Sequence, residues 1–432
     1  MTGKKMAVPE QAAGASLHSW YVLTLLFGAY TFNWMDRYVL VILIEPIKAD
    51  LHLSDTAIGL MNGFAFAAIY SIAGIPIARW ADRGTRRSII ALGLALWSAM
   101  TALSGVAHTT GQLVAARLGV GLGESACSPS AHSLISDYFG ANKRATALSI
   151  YQLGIVIGIA LGLIVGGWAN ELYGWRAAFM IVGLPGLLLA LAIRLTVREP
   201  RRGQSDGPSA DTTQYSTWDG LRTILSKKSY LAYAVALGLA AFTDNAFEAW
   251  GPVYLMRVFH MGSAAVGTWT GSLEAPAGIV GTLLGGVVAD RLGTRDARWY
   301  LWVPVIAMGV MVPCIFMFLV AGSGVVFFYY FLAILAAAAY MGPIIGLTQR
   351  LMPVRLRAQA AALQFLILNL IGPGAGVSVA GILNDVFAPA HGAAAVRYSL
   401  MFILCGACLG IALALYAVRR LPEDFSSSHR TL

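Results

Sequence analysis

The chain has 432 residues, of which 58% are hydrophobic and 12% charged, whereas soluble domains carry about 25% charged residues. Its 30 Lys and Arg and 21 Asp and Glu are clustered, leaving apolar stretches such as 89–106, 178–193, 301–320 and 325–341, long enough to be candidate membrane crossings. Despite the net charge of +9, this composition argues against a soluble enzyme or a nucleic-acid-binding domain, and it implies a polytopic α-helical membrane protein.

Twelve apolar runs bounded by charge or turn residues follow in chain order, at 19–46, 55–81, 88–107, 110–139, 144–170, 176–196, 229–256, 263–289, 299–320, 324–350, 357–384 and 397–418. They lack the apolar/polar alternation of barrel strands, so the expected fold is all-α with twelve transmembrane helices. An even number of crossings puts both termini on one side. That side collects 24 of the 30 basic residues, and the other has only Lys48, Arg176, Arg257 and Arg397. The positive-inside rule then places both termini in the cytoplasm of a cell inner (plasma) membrane. Residues 1–18 contain no signal-peptide apolar core and read as a cytoplasmic tail, so span 1 is not a cleaved leader. Segment 197–228, the one long polar stretch, reads as a cytoplasmic linker between two six-helix halves at 19–196 and 229–418, with 419–432 a second tail. Cys127, Cys314, Cys405 and Cys408 all fall inside spans without metal-ligand spacing. No metal or cofactor is expected, and a monomer is.

The halves repeat. Ala78-Arg79-Trp80-Ala81-Asp82-Arg83-Gly84-Thr85-Arg86-Arg87 ends span 2, and Gly286-Val287-Val288-Ala289-Asp290-Arg291-Leu292-Gly293-Thr294-Arg295 ends span 8, an offset of 208 between Asp82 and Asp290. The same offset takes Asp36 onto Asp244, and an offset of 214 takes Asn170-Glu171 onto Asn384-Asp385. Two duplicated halves resemble the major facilitator superfamily over about 19–418, whose G-x-x-x-D-R-x-G-[RK]-[RK] loop the second copy nearly matches. The first copy departs at both glycines (Ala78, Thr85). Asp82, Arg83, Arg86, Asp290, Arg291 and Arg295 are thereby expected to form charge-assisted bonds across the seam between halves at the cytoplasmic end, breaking when the halves rock apart. Gly154, Gly158, Gly162 and Gly166 form a small-residue stripe on span 5 that permits close helix packing. Gly372-Pro373-x-x-Gly376 in span 11 is similar to the superfamily's antiporter motif, which span 5 lacks.

Ionisable groups at membrane depth cost several kcal/mol and are functional candidates by default. Spans 1 and 4 hold Asp36, Arg37, Arg117 and Glu124. At 1.5 Å per residue, Asp36 lies about 15 Å below the outer end, Arg117 roughly 10 Å and Glu124 roughly 20 Å. Arg117 and Glu124, seven apart, share one helix face, so Asp36, Arg117 and Glu124 are expected to meet. A carboxylate paired with Arg117 stays ionised, and one whose pair separates takes up a proton. The bland alternative is a permanent ion pair holding spans 1 and 4 together. Spans 7 and 8 hold Asp244, Glu248 and Glu274, acids without an evident intramembrane base. They suggest a polar cavity wall or a site for a cationic substrate group, with Tyr340, Gln364 and Asn369 adding neutral hydrogen-bonding groups.

The run Arg117-Leu118-Gly119-Val120-Gly121-Leu122-Gly123-Glu124-Ser125, with Asn33-x-x-Asp36-Arg37-Tyr38, resembles the Spinster branch, with Trp34 replacing that branch's usual Tyr. The resemblance implies a secondary transporter of lipid-type substrates, sphingosine 1-phosphate or lysophospholipids in animals, in which Asp36, Arg117 and Glu124 take part in proton-linked switching. Asn33 and Arg37 join the expected substrate cavity. The expected coupling ion is the proton, and the expected partners are a small amphiphile and membrane lipids, with no nucleic acid. A proton-coupled carrier of organic anions such as sugar acids or sugar phosphates shares the N-x-x-D-R start and is the alternative. A non-transporting receptor-like or channel-like protein is a third reading. No metal cluster, nucleophile elbow or phosphate loop points to an enzyme.

Overall fold

The computed structural model describes residues 16–200, 217–353 and 356–428. Span 1 is α1 (Leu17–Ile42), whose first turn is capped by the Ser16 side chain accepting from the Ser19 amide. A short helix, α2 (Ile44–Leu51), follows where the sequence suggested the end of span 1. Span 2 is built of α3 (Asp55–Leu60), a π turn at Met61–Ala65 and α4 (Phe66–Arg83), and span 3 is α5 (Arg86–Ser104). Span 4 is broken into α6 (Thr110–Glu124) and α7 (Cys127–Tyr138). The break follows from Pro129, which has no amide hydrogen and whose ring would collide with the carbonyl four residues back, that of Ser125. Spans 5 and 6 form one run, α8 (Ala141–Thr196), broken at Gly174 with φ +82°, where any Cβ would be strained.

In the second half, α9 (Thr217–Ser226) lies inside the expected linker, whose residues 201–216 fall outside the described residues. Spans 7 to 10 are α10 (Lys228–Phe259), α11 (Ser263–Gly293), α12 (Trp299–Val320) and α13 (Val326–Leu351). Span 11 mirrors the interruption of span 2: α14 (Arg357–Asn369), a π turn at Leu370–Gly376 and α15 (Val377–His391). Span 12, α16 (Ala395–Ser428), runs on past its expected end at 418. The reason is packing, since Leu421 is buried and Asp424 accepts from both the amide and the hydroxyl of Ser229, at 2.8 and 2.5 Å.

By length and apolarity, seven helical segments among the described residues qualify as membrane spans, and two of them, Asn142–Thr196 and Gln359–Asp424, each hold two of the twelve crossings. The crossings that fall short are α1, α6 with α7, and α10, which carry Asp36 and Arg37, Arg117 and Glu124, and Asp244 and Glu248. Exposure inverts the soluble pattern. Ile72, Leu188 and Leu195 are 68%, 71% and 70% exposed, whereas Asp36, Arg117 and Glu124 are each 1% exposed.

Because lipid is as apolar as a leucine side chain, helices in a bilayer associate through close packing, and α8 supplies it on two faces. One face meets α1, where a Cβ on Gly158 would lie 2.4 Å from the Thr31 carbonyl oxygen. The other meets α11 of the opposite half, where a Cβ on Gly267 would lie 2.1 Å from the Leu163 carbonyl oxygen. A second seam between halves joins the two π turns, where a Cβ on Gly63 would lie 2.9 Å from the Gly374 carbonyl oxygen, and beside it the Phe64 amide donates to Ser378 Oγ of α15 at 3.0 Å. Gly267→Ala should lower the unfolding temperature in detergent, overpacking of this kind costing about 1–3 kcal/mol. Gly309→Ala, with nothing within 4 Å of its Cβ, should not. Equal unfolding temperatures for the two variants would contradict the close approach.

Candidate functional site

Three consecutive residues of α1, each turned by about 100° from the last, reach three different partners. Asp36 Oδ2 accepts from Thr101 Oγ1 of α5 at 3.0 Å, and its Oδ1 has no protein partner. Arg37 Nε donates to Glu124 Oε2 of α6 at 2.6 Å. Its guanidinium carbon stacks 4.9, 4.8 and 5.2 Å from the rings of Trp34, Phe66 and Tyr70, an aromatic cage suited to a planar cation. The Tyr38 hydroxyl donates a short hydrogen bond to Glu248 Oε2 of α10, in the other half.

The spacing of span 4 led to Arg117 as the partner of Glu124, but the structure gives Glu124 to Arg37. Seven residues are two helical turns, roughly 10 Å, and the α1 guanidinium fills the nearer position. Arg117 instead donates from Nη1 to the main-chain carbonyl of Asp36 at 3.3 Å, while its Nε and Nη2 have no protein partner. Glu124 Oε1 is likewise unpartnered, with Asn33 alongside the carboxylate. Two arginines and two carboxylates therefore share one enclosed site with only one charged pair formed.

The second cluster lies in α10 and α11. Asp244 Oδ2 accepts from Tyr340 at 3.2 Å, Glu274 Oε2 accepts from Tyr330 at 3.0 Å, and Glu248, held by Tyr38, faces both of the other acids. Gln364 stands apart, in a chain with Thr348 and Tyr233: Thr348 donates to Gln364 Oε1 at 2.5 Å and exchanges a bond with Tyr233 at 2.9 Å. Asn369 donates to the Phe365 carbonyl of its own helix at 2.8 Å. Neither amide is bonded to the acids.

Among the termini-end charges expected to bridge the seam, Arg86 and Asp290 have described partners, and these do not lie in the opposite half. Arg86 donates to Asp137 at 2.5 Å, in the first half, and to Glu199 at 2.8 Å, just past its end. Asp290 accepts from Tyr300 at 2.6 Å, and Arg350 stacks on that ring at 4.3 Å. The side chains of Arg83, Arg291 and Arg295 are exposed, and that of Asp82 lies outside the described residues. Bonds that do join the halves cluster at the opposite end. Arg257 of α10 pairs with Glu45 at 2.6 Å and Asp55 at 2.5 Å, Asp55 also takes Lys48 at 2.5 Å, and Asp385 accepts from the Asp55 and Thr56 amides at 3.1 and 2.7 Å. The structure is thus latched at that end.

Sequence reasoning missed Tyr38, Thr101, Tyr330 and the whole Arg257 network. Charges near a helix end are usually solvated, so Glu45, Asp55 and Arg257 gave no signal, whereas the duplicated Asn170-Glu171 and Asn384-Asp385 did mark a repeated position.

The family description Major Facilitator Superfamily matches residues 26–377. An MFS-type efflux pump of Mycolicibacterium smegmatis is 33% identical over 89% of both chains. The sphingosine-1-phosphate transporter SPNS2 of Danio rerio is 27% identical over 82% of this chain and 73% of its own. Among solved structures, a bacterial homologue of the human lysosomal transporter Spinster, in an inward-facing and unoccupied conformation, superposes with a TM-score of 0.87 at 28% identity, covering 95% of this chain and 99% of that one.

If Arg37 is the counter-charge of Glu124, Arg37→Met leaves a carboxylate buried without a partner, which typically costs about 3–5 kcal/mol. Unfolding in detergent at neutral pH should show that loss, and Arg37→Met with Glu124→Gln should recover most of it. A double variant no more stable than the single one would contradict the pairing.

Proposed function

We propose, for a chain that belongs to the Major Facilitator Superfamily and its Spinster branch, that it is a proton-coupled secondary transporter moving an amphiphile by alternating access. Its termini and residues 197–228 then face the cytoplasm of the plasma membrane, and the latched end faces outward. The conformation is in that case inward-facing, as in the crystallised Spinster homologue.

The observation that carries the reading is the incomplete pairing around Glu124. Arg37 holds Glu124 now, and Arg117, on the face of α6 that also bears Glu124, has two unpartnered guanidinium nitrogens. A shift of α1 against α6 exchanges or removes the arginine on Glu124, and it moves Arg117, now on the Asp36 main-chain carbonyl, relative to the Asp36 carboxylate. In a water-poor site a carboxylate that keeps its arginine stays ionised, while one that loses it is favoured in the neutral form and takes a proton from whichever side is open. Proton uptake is thereby tied to the position of α1. Tyr38, next to Arg37, carries the same movement to Glu248 in the other half.

The substrate class rests on the second cluster. Asp244, Glu248 and Glu274 form an acidic, phenolic wall in which each carboxylate takes its described side-chain hydrogen bond from a phenol, Tyr340, Tyr38 and Tyr330 in turn. Such a wall suits an amphiphile whose polar end carries a cationic group. An organic anion would need a cation beside this wall, and the two arginines at this depth lie in the other cluster, Arg37 on Glu124 and Arg117 on the Asp36 main-chain carbonyl. The structure therefore supports the amphiphile better than a sugar acid.

Purified protein in liposomes should take up or exchange lysolipids or long-chain amines, and an imposed pH gradient should drive accumulation. Asp36→Asn and Glu124→Gln should abolish the gradient-driven part while leaving exchange measurable. Full pH-driven accumulation in both variants would remove the coupling proposal, and saturable uptake of sugar acids in place of amphiphiles would overturn the substrate class.

A further inference from the structure

The duplicated acids that end spans 5 and 11 do the same thing in the two halves. Glu171, near the Gly174 break of α8, accepts from the amide of Ala264, the second residue of α11, at 3.0 Å. Asp385 of α15 accepts from the amides of Asp55 and Thr56, which open span 2, a continuous helix of 27 residues at Asp55–Ala81. Each carboxylate thus caps the N-terminus of a helix in the opposite half, where unpaired amides and the helix dipole favour an anion. The fit is local as well as symmetric. The N-cap of α11 is Gly262, which has no side chain to cap its own helix, and a Cβ there would sit 3.1 Å from Glu171 Oε2. Neighbouring asparagines differ: Asn170 donates to Ser263 Oγ at 2.9 Å across the seam, whereas both side-chain amide atoms of Asn384 are buried without a partner.

We infer that Glu171 and Asp385 are paired gating residues, one on each seam, whose trans-half caps set the equilibrium between closed and open at the end opposite the termini. The inference rests on the alternating-access reading. Two halves that rock apart at this end must withdraw both carboxylates, exposing three helix-end amides to water. Hydrogen bonds to charged groups are strong enough that losing one cap shifts such an equilibrium roughly tenfold, and losing both shifts it more.

The test measures shape, so it is independent of whether the substrate has been found. With the four native cysteines replaced by serine, spin labels at Thr110 and Ser323 report the distance across the latched end, and labels at Lys143 and Arg298 report the termini end. In nanodiscs, Glu171→Ala with Asp385→Ala should move population to longer distances in the first pair and shorter ones in the second, each single variant giving part of the shift. Glu171→Gln with Asp385→Asn removes the charge but keeps an acceptor oxygen on each side chain and should give a smaller shift in the same direction, so that no shift in this variant would count against the gate even where the alanine variant does not fold. Asp50→Ala is the control. It removes an acid from the same end, but one whose partner, Arg176 at 2.6 Å, lies in the same half, and it should leave both distances unchanged. Distributions unaltered by the double alanine variant, or altered equally by Asp50→Ala, would overturn the gating role. A shift in distances without transport of any amphiphile would instead uphold the gate and count against the proposed substrate.

Discussion

A charge that cannot reach water has to find its counter-charge within the protein, and the Arg37–Glu124 pair is where this chain meets that constraint. The cost of leaving either member alone in a low-dielectric interior exceeds what any single packing contact returns. The pair consequently fixes the rotation of α1 against α6, with three aromatic rings closing around the guanidinium. Once Arg37 is placed, helix geometry aims Asp36 at Thr101 of α5 and Tyr38 at Glu248 of α10. One turn of α1 thereby touches both polar clusters of the molecule.

The framework that holds this turn in place is made of backbone approaches, not of apolar burial. The glycine face of α8 brings its backbone against that of α1, and its opposite face does the same with α11 across the seam. The second seam uses the paired π turns of spans 2 and 11, whose extra residue per turn widens the helix at the crossing. Both seams are sealed at one end by ions and helix caps. At the other end the described bonds of Arg86 and Asp290 do not reach the opposite half.

The two clusters differ in what they can do. Around Glu124 there are cations in excess of formed pairs, so a partner can be exchanged. Around Glu248 the described hydrogen-bonding partners of the acids are phenols. Tyr38 couples them because it belongs to the first cluster by position in α1 and to the second by its hydrogen bond. The proposed link between proton movement and a cationic amphiphile rests on both kinds of site and on that connection.

Much was legible in the chain itself. The twelve apolar runs, the duplication, the basic side and the ionisable residues at depth are one-dimensional properties, set by the bilayer's length requirement and the cost of charge inside it. The glycine stripe of span 5 and the acids Asp36, Glu124, Asp244, Glu248 and Glu274 could be read without coordinates for the same reason. Partnership could not. Spacing along α6 joined Arg117 to Glu124, but a residue on another helix, Arg37, stood nearer. The break after Glu124 comes from a local clash at Pro129, and the continuation of α16 past 418 comes from contacts with α10 that no hydropathy profile contains. Gln364 and Asn369 have the composition of cavity residues, yet their bonds go elsewhere. The cross-half caps of Glu171 and Asp385 exist only because two helix ends from different halves meet. Sequence determined which residues must be paired or hidden, since that depends on the solvent each segment sees. Tertiary structure decided with whom, since that depends on which helices approach within the reach of a side chain.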